Sequence, residues 1–339
     1  MNCEVDISFC LPVYNVRNFL NDCIQSIVKQ EFQEITYEIL CLDDCSNDGS
    51  YEFLLKESEK LSQLKIFRNA ENKGVSYTRN QLTRMANGKY IWYVDPDDML
   101  IGNIIKPFFD SATKLQADVF LGDYIRIEEF KTGNEEYCYN NEILKEKPLQ
   151  TKKGLPTDQD GKTMCALWAG LFRKNFLLEK KLFFNEKMIA QEDTLFYYEF
   201  SLRTDSIYKV KTPCYLYRMR KGSVMHRCDN ERQKKYYESM KELLFMYEYY
   251  LEKGEFIDLS DLQYRINKMR QNVALCLSIV KEKEYIDNEI KLLQNKVNIY
   301  KEAKTALKRE GPKIIKICAF FLSAKQLFWM YHWITTKNK

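Results

Sequence analysis

Asp95, Asp97 and Asp98 place three carboxylates within four positions, directly after the apolar and aromatic run Tyr90-Ile91-Trp92-Tyr93-Val94. A buried strand that ends this way concentrates negative charge at the carboxyl edge of a sheet, where α/β proteins bind ligands. Neighbouring carboxylates repel one another unless a cation neutralises them. Oxygen-only ligands suit a hard divalent ion such as Mg2+ or Mn2+, and that ion could hold a diphosphate. Standing alone, the segment also reads as a solvated acidic turn, because Asp and Pro are common turn residues.

Three further groups of polar residues follow strand-like runs: Pro12-Val13-Tyr14-Asn15, Asp43-Asp44-Cys45-Ser46-Asn47-Asp48-Gly49-Ser50, and Asn72-Lys73-Gly74-Val75-Ser76-Tyr77-Thr78-Arg79-Asn80. Each has a bland account: Asp48-Gly49 as a turn, Asn72 to Ser76 as a helix start. Four such groups at four successive strand ends favour convergence on one ligand, since a parallel sheet delivers all four loops to one edge. The spacing resembles the family 2 glycosyltransferases with a GT-A fold, whose pattern is PxYN, DDxSxDGS, NxGxxxARN and DxDD. Thr78 stands where that family usually has Ala and Pro96 where it has Ser; neither change touches a charged group.

The resemblance covers about residues 5–225 and implies a nucleotide-diphosphate-sugar donor, with UDP-sugar the expected form. By it, Tyr14 lies against the base and Asp44 bonds the base edge. Arg79 lies near the nucleotide, and Pro12, Asn15 and Asn72 join the nucleotide-binding set. Asp95 faces the ribose or the metal, and Asp97 ligates the Mn2+ or Mg2+ that bridges the phosphates. The resemblance also makes Asp193, in the pair Glu192-Asp193, the general base on an acceptor hydroxyl, with Glu192 orienting it; a carboxylate suits that task. Read without it, Asp193 is a helix N-terminal cap. Trp168 matches the acceptor-facing stretch, its other account being a core aromatic. Arg220, Lys221 and Ser223 could close over the diphosphate and His226 could complete the metal shell; a solvated basic loop is the competing account. The reaction so implied inverts the anomeric centre and serves a bacterial surface polysaccharide, with a saccharide or lipid-linked saccharide as acceptor.

Two other classes fit the sequence less well. A catalytically idle nucleotide- or saccharide-binding subunit with the same fold is disfavoured because every charged motif position is filled. A nucleotidyltransferase would need a glycine-rich basic loop after the first strand, and Pro12-Val13-Tyr14-Asn15 is not one. The GxxxxGK[ST] phosphate loop and the GxGxxG dinucleotide fingerprint are also missing.

The elements that must position these residues alternate strand and helix. Ile7–Leu11 reads as a strand closed by Pro12, and a helix follows with Phe19, Leu20, Cys23, Ile24, Ile27 and Val28 on one face. Glu38–Leu42 is a second strand, followed by a helix from about Ser50 with Phe53, Leu54 and Leu55 inside. Leu64–Phe67, a helix over Val75–Met85, and Tyr90–Val94 complete the series. This order predicts an α/β fold with a mixed, mostly parallel sheet covered by helices. Ala117–Leu121 reads as another strand, residues 131–163 as a polar loop over the site, and Ile207–Val210 and Tyr215–Arg218 as two closing strands. Leu195, Phe196 and Phe200 are expected to point inward. After Asn230 only helical patterns remain, over 231–253 and 261–310, with breaks at Gly254 and Gly311-Pro312. The expected division is a catalytic domain over 1–229, with halves at about 1–115 and 116–229, and an all-α extension over 230–339.

Composition sets the outer bounds. Of 339 residues, 45% are apolar and 29% charged, as in foldable globular chains. The net charge is +4, yet residues 301–339 alone carry +7, so that end is expected to meet an anionic surface. Lys313, Lys316 and Lys325 interrupt the apolar, aromatic segment 313–334, which fits a helix lying in a membrane interface or one packed on the catalytic domain or a dimer partner. Eleven cysteines without a CxxC pair and only two histidines disfavour an ordinary zinc site and predict free thiols in a reducing cytosol. No signal-peptide pattern opens the chain and no apolar run is long enough to span a bilayer. A cytoplasmic protein, peripheral on the inner membrane face, is expected, with no nucleic acid as partner.

Overall fold

β1 (Val5–Val13) lies between β2 (Tyr37–Asp43) and β4 (Gly88–Tyr93), parallel to both, and β3 (Leu64–Arg68) pairs in parallel with β2. The computed structural model describes residues 5–128, 149–150, 167–219, 230–256, 259–280, 282, 284–286 and 288–289. They fall in two compact units, one within Met1–Glu186 and Asp193–Ser223, the other within Lys187–Glu192 and Val224–Lys339.

In the first unit the strand order is β3-β2-β1-β4-β8-β6-β9-β5, where β5 is Met99–Leu100, β6 Val119–Glu128, β8 Gly170–Arg173 and β9 Ile207–Met219. The two-residue β7 (Leu149–Gln150) pairs with β9. β8 is antiparallel to β4 and β6, and β9 is parallel to β6, so the sheet is mixed around a parallel half. Alternating side chains build a core on each face. Ile7, Phe9, Leu11, Tyr90, Trp92 and Val94 face α1 (Leu20–Val28), α2 (Ser50–Ser58) and α4 (Ile105–Lys114). Cys10, Leu40, Leu42, Ile91 and Tyr93 face α3 (Val75–Met85), α5 (Lys174–Glu179) and α6 (Glu192–Ser201). Burial on both faces explains why these strands read as near-continuous apolar runs.

The expected α/β architecture with a mixed, mostly parallel N-terminal sheet is therefore what the structure shows, and several details differ. β1 does not stop at Pro12 but runs through it. Residues of Pro12's parity face β4, whose pairing with β1 has ended at Cys10 and Tyr93, so the missing proline N–H removes no ladder bond. In α2, Leu54 is buried but Leu55 is 42% exposed, because three consecutive residues at 100° steps cannot share one narrow face. Ile207–Val210 and Tyr215–Arg218 belong to one strand. The parallel pairing of β9 with β6 shifts register at Asp123–Pro213, and that irregularity absorbs the proline. β6 is likewise longer than the run Ala117–Leu121. Leu195, Phe196 and Phe200 are buried as expected.

In the second unit α7 (Asn230–Lys253) ends at Gly254, whose φ of +70° is the left-handed conformation of a helix terminus. It packs on α8 (Leu259–Ile279): Tyr237, Met240, Leu244 and Tyr247 are buried with Leu262, Ile266 and Leu277. Arg270 Nη2 meets Glu248 Oε1 at 2.7 Å. α8 ends at Ile279, so the helical pattern expected over 261–310 is broken there; residues after 289 lie outside the described ones, and so does 313–334. No helix among the described residues is long and apolar enough to cross a membrane.

Candidate active site

The parallel pairing of β1 to β4 delivers four loops, 14–19, 44–49, 69–74 and 94–98, to one edge of the sheet. β2 and β3 lie on one side of β1 and β4 on the other, so the edge beside β1 is a topological switch point, where open α/β sheets leave a crevice.

Side chains of the first two loops hold each other. Asn15, at φ +51°, donates its N–H to Ser46 Oγ at 3.0 Å and accepts at Oδ1 from Asn47 N at 2.9 Å. Asp48 Oδ2 accepts from Arg17 N at 2.9 Å, and Asp48 Oδ1 accepts from Ser50 N and Ser50 Oγ. Ser50 Oγ in turn accepts from Val16 N. Hydrogen bonds to the ionised form hold Asp48 below the ordinary carboxylate range although burial opposes them. This lattice leaves the Tyr14 ring standing out from the edge, 46% exposed, while Pro12 is buried in β1.

Asp44 governs the third loop. Its Oδ1 accepts from Asn69 Nδ2 and Lys73 N, and its Oδ2 from Gly74 N, all at 2.7–2.8 Å. A buried carboxylate thus satisfies the amides of Lys73 and Gly74, the two residues that lead into α3. Asn72 is exposed beside it. Arg79 on α3 is buried and donates from Nη2 to Asp95 Oδ1 at 2.8 Å, with its guanidinium 5.5 Å from the Phe184 ring centroid. Asn80, next to it, fixes residue 184 through both backbone groups: Nδ2 donates to Phe184 O and Oδ1 accepts from Phe184 N.

The carboxylate turn is closed by Asp98 N donating to Asp95 O at 3.0 Å. Asp95 N donates to Tyr215 Oη at 3.0 Å, which ties the turn to β9. Asp95 and Asp97 are half-buried, whereas Asp98 is buried and accepts from Arg218 N at 2.7 Å. Burial first, then the charges of Asp97 and Asp95, push the Asp98 carboxyl well above its ordinary range. Asp95 and Asp97 are the pair whose carboxylates reach the surface of the turn. Two accessible carboxylates fit a hard divalent ion that keeps waters and takes phosphate oxygens for the remaining positions. Among the described residues, no three His, Cys, Asp or Glu side chains are grouped so that they alone could hold an ion.

Glu192 and Asp193 are the first two residues of α6 rather than residues preceding it. Asp193 is therefore not the capping residue; its Oδ1 accepts from Thr194 N at 2.7 Å. Both carboxylates sit where the helix dipole favours negative charge. Trp168, in the 3-10 turn Leu167–Ala169, is half-buried and stacks on Tyr215 and Tyr217 with centroids 4.5 and 5.5 Å away. Arg220, Ser223 and His226 lie outside the described residues. Sequence reasoning missed Tyr215, Arg218 and the clamp made by Asn80. The first two lie on opposite faces of β9, and only the alternation of that strand hinted at them. The described cysteines are free, and burial pushes the thiols of Cys10, Cys23, Cys41 and Cys214 up, away from reactive thiolate.

The chain is 28% identical over 229 residues to glycosyltransferase GlyG of Streptococcus pneumoniae, covering 65% of this chain and 72% of that protein. It is 32% identical over 117 residues to a poly(ribitol-phosphate) beta-glucosyltransferase of Bacillus spizizenii, covering 34% of this chain but only 18% of that one. The crystal structure of S. aureus TarS in complex with UDP-GlcNAc superposes with a TM-score of 0.65 at 17% identity, over 99% of this chain and 93% of that one, which establishes the GT-A fold. The family model "Glycosyl transferase family 2" matches residues 8–178, just over half of the chain. The chain belongs to glycosyl transferase family 2.

Proposed function

We propose that the protein transfers a sugar from a nucleotide diphosphate, UDP in the first instance, to a hydroxyl of a saccharide, with inversion at the anomeric carbon. The observation that carries this reading is the Arg79–Asp95 pair beside half-buried Asp97, at the switch point where the four loops converge. The UDP-GlcNAc complex of TarS and the polymer-glycosylating relatives support the donor class and a surface-polysaccharide or teichoic-acid-like acceptor.

In this reading the exposed Tyr14 ring offers a face for the base, and Asp44 keeps a remaining lone pair for the base edge. Asp95 and Asp97 would hold Mn2+ or Mg2+, which when bound neutralises the leaving diphosphate as a Lewis acid. The acceptor oxygen attacks the anomeric carbon, its proton passes to Asp193, and the bond from that carbon to the diphosphate breaks with its electron pair leaving on UDP. Glu192 orients Asp193 or the acceptor. Residues 313–334 would carry the protein to an anionic membrane surface. Co-sedimentation with phosphatidylglycerol vesicles that weakens at high salt, and is lost on truncation after Glu310, is the expected behaviour.

The deciding experiment scores a panel of nucleotide sugars for UDP release with Mn2+ present. Release from at least one UDP-sugar is expected. Asp97→Ala should abolish turnover and metal-dependent UDP binding, and Asp193→Asn should keep UDP binding while losing turnover. Normal turnover by the Asn variant would remove Asp193 from the role of base, and a chain that binds no nucleotide would overturn the reading.

A further inference from the structure

β6 and β9 run on side by side past the level of the carboxylate turn, and one face of that ribbon is aromatic. Tyr124 pairs with Tyr215 and Arg126 with Tyr217, so all four side chains share a face. Trp168 packs on it: its ring stacks on Tyr215 and lies nearly parallel to Tyr217, at 5°, while Tyr124 meets it edge-on at 4.9 Å. Ile125, Ile127 and Leu216 of the opposite face are spent in a small core with Met99 and Ile101. The aromatic face abuts the reaction edge through the Tyr215 hydroxyl, which meets the backbone N–H of Asp95.

Arg126 stands exposed on this face. Its Nη2 donates to Tyr124 Oη at 3.1 Å and its guanidinium lies 5.6 Å from the Tyr124 ring centroid. Among the described residues no carboxylate pairs with it. The charge is held in place by an aromatic neighbour and keeps its remaining donors for an anion.

We propose that Tyr124, Arg126, Trp168 and Tyr217 form an acceptor subsite for an anionic saccharide or polyol chain: the apolar ring or chain faces pack on the half-buried aromatic surface, and Arg126 binds a phosphate-diester or carboxylate group of the same chain. The inference rests on the transferase reading above and deepens it, by naming the side chains that would recognise a charged acceptor. Half-exposed aromatic surface with one well-placed polar group is the usual make-up of a small-molecule subsite.

The test titrates the full-length protein, with UDP present, with three oligomers of equal length: a glycerol-phosphate oligomer, a hexuronate oligomer and a neutral glucan. One or both anionic oligomers should bind about fivefold or more tightly than the glucan, in keeping with about 1 kcal/mol for a solvent-accessible ion pair. The preferred oligomer tells phosphate from carboxylate. Arg126→Gln should abolish the preference while leaving UDP affinity unchanged, and Tyr217→Leu should weaken all three oligomers. Equal binding of charged and neutral oligomers, binding of none, or an undiminished preference in Arg126→Gln would each overturn the proposal. Loss of UDP binding by the wild-type chain would instead overturn the transferase reading, so the two failures are told apart.

Discussion

Arg79 on α3 and Asp95 after β4 are joined by a 2.8 Å ion pair, with the arginine side chain 7% and the aspartate 26% exposed. The pair links the helix that Asp44 anchors to the turn that carries Asp97. Without the guanidinium, Asp95 would face Asp97 with no opposing charge from α3. Breaking one partner of a fully buried pair costs about 3–5 kcal/mol, and partial exposure lowers the expectation here to about 1–3 kcal/mol. Arg79→Met is expected to lose that much stability in urea unfolding and to weaken UDP binding. A variant with wild-type stability and affinity would show that the pair does no more than decorate the edge.

Asp44 makes a separable prediction. Its two oxygens satisfy the Lys73 and Gly74 amides and the Asn69 side chain. In Asp44→Asn one oxygen becomes a donor NH2 that faces an N–H, so at least one amide loses its acceptor. The expected cost is about 1–2 kcal/mol, the range of a lost helix cap. Amide exchange should quicken at Lys73 and Gly74 before it does in α3. Unchanged exchange at those two amides would contradict the anchoring role.

Much of this arrangement was legible in the sequence, for a physical reason. Parallel strands covered on both faces are short unbroken apolar runs, and Pro12, Asp43 and Asp95 mark where they reach the edge. α3 occupies Val75–Met85 as its periodicity predicts. Features held by long-range partners were not legible. Asn80 is fixed by residue 184, and Arg218 reaches Asp22 at 3.1 Å, 196 positions away, so no local pattern announces either. The pattern of β9 shows two apolar runs, Ile207–Val210 and Tyr215–Arg218, on either side of Pro213; only the pairing with β6 shows how a register shift joins them into one strand.

Glu38 supplies the pH dependence. This buried carboxylate at the opposite end of β2 accepts from Ser8 Oγ, Lys65 Nζ and Asn87 N, each at 2.7 Å. Burial raises its pKa, but the bonds from Lys65, Ser8 and Asn87 outweigh that effect and leave it below the ordinary value. A carboxylate with a depressed folded pKa contributes stability that is present above its unfolded pKa, about 4.3, and is lost as pH falls through the folded value. Glu38→Gln should therefore be less stable than wild type by about 1–3 kcal/mol at neutral pH. The gap should narrow as the pH drops below about 4. A gap that stays constant from neutral to strongly acidic pH would exclude the ionised form as its source.

Gly170 opens β8 directly after Trp168-Ala169, between β4 and β6. A Cβ there would sit 2.0 Å from Phe120 O and 2.9 Å from Leu121 Cα. Both are backbone atoms of a paired central strand, so no side chain can swing away to make room. The strand itself would have to move, and with it the turn that carries Trp168, whose carbonyl accepts from Trp92 Nε1 at 2.7 Å. Overpacking of this kind costs about 1–3 kcal/mol and at times more; backbone contacts on this scale put Gly170→Ala at the upper end. Thermal unfolding should show the loss, and the tryptophan emission of the folded protein should shift as the aromatic face loosens. In the proposed function UDP is held by the loops that follow β1 to β4, so its binding should survive in the fraction that remains folded. An alanine variant with wild-type stability and emission would mean that β8 has slack the close approach does not suggest.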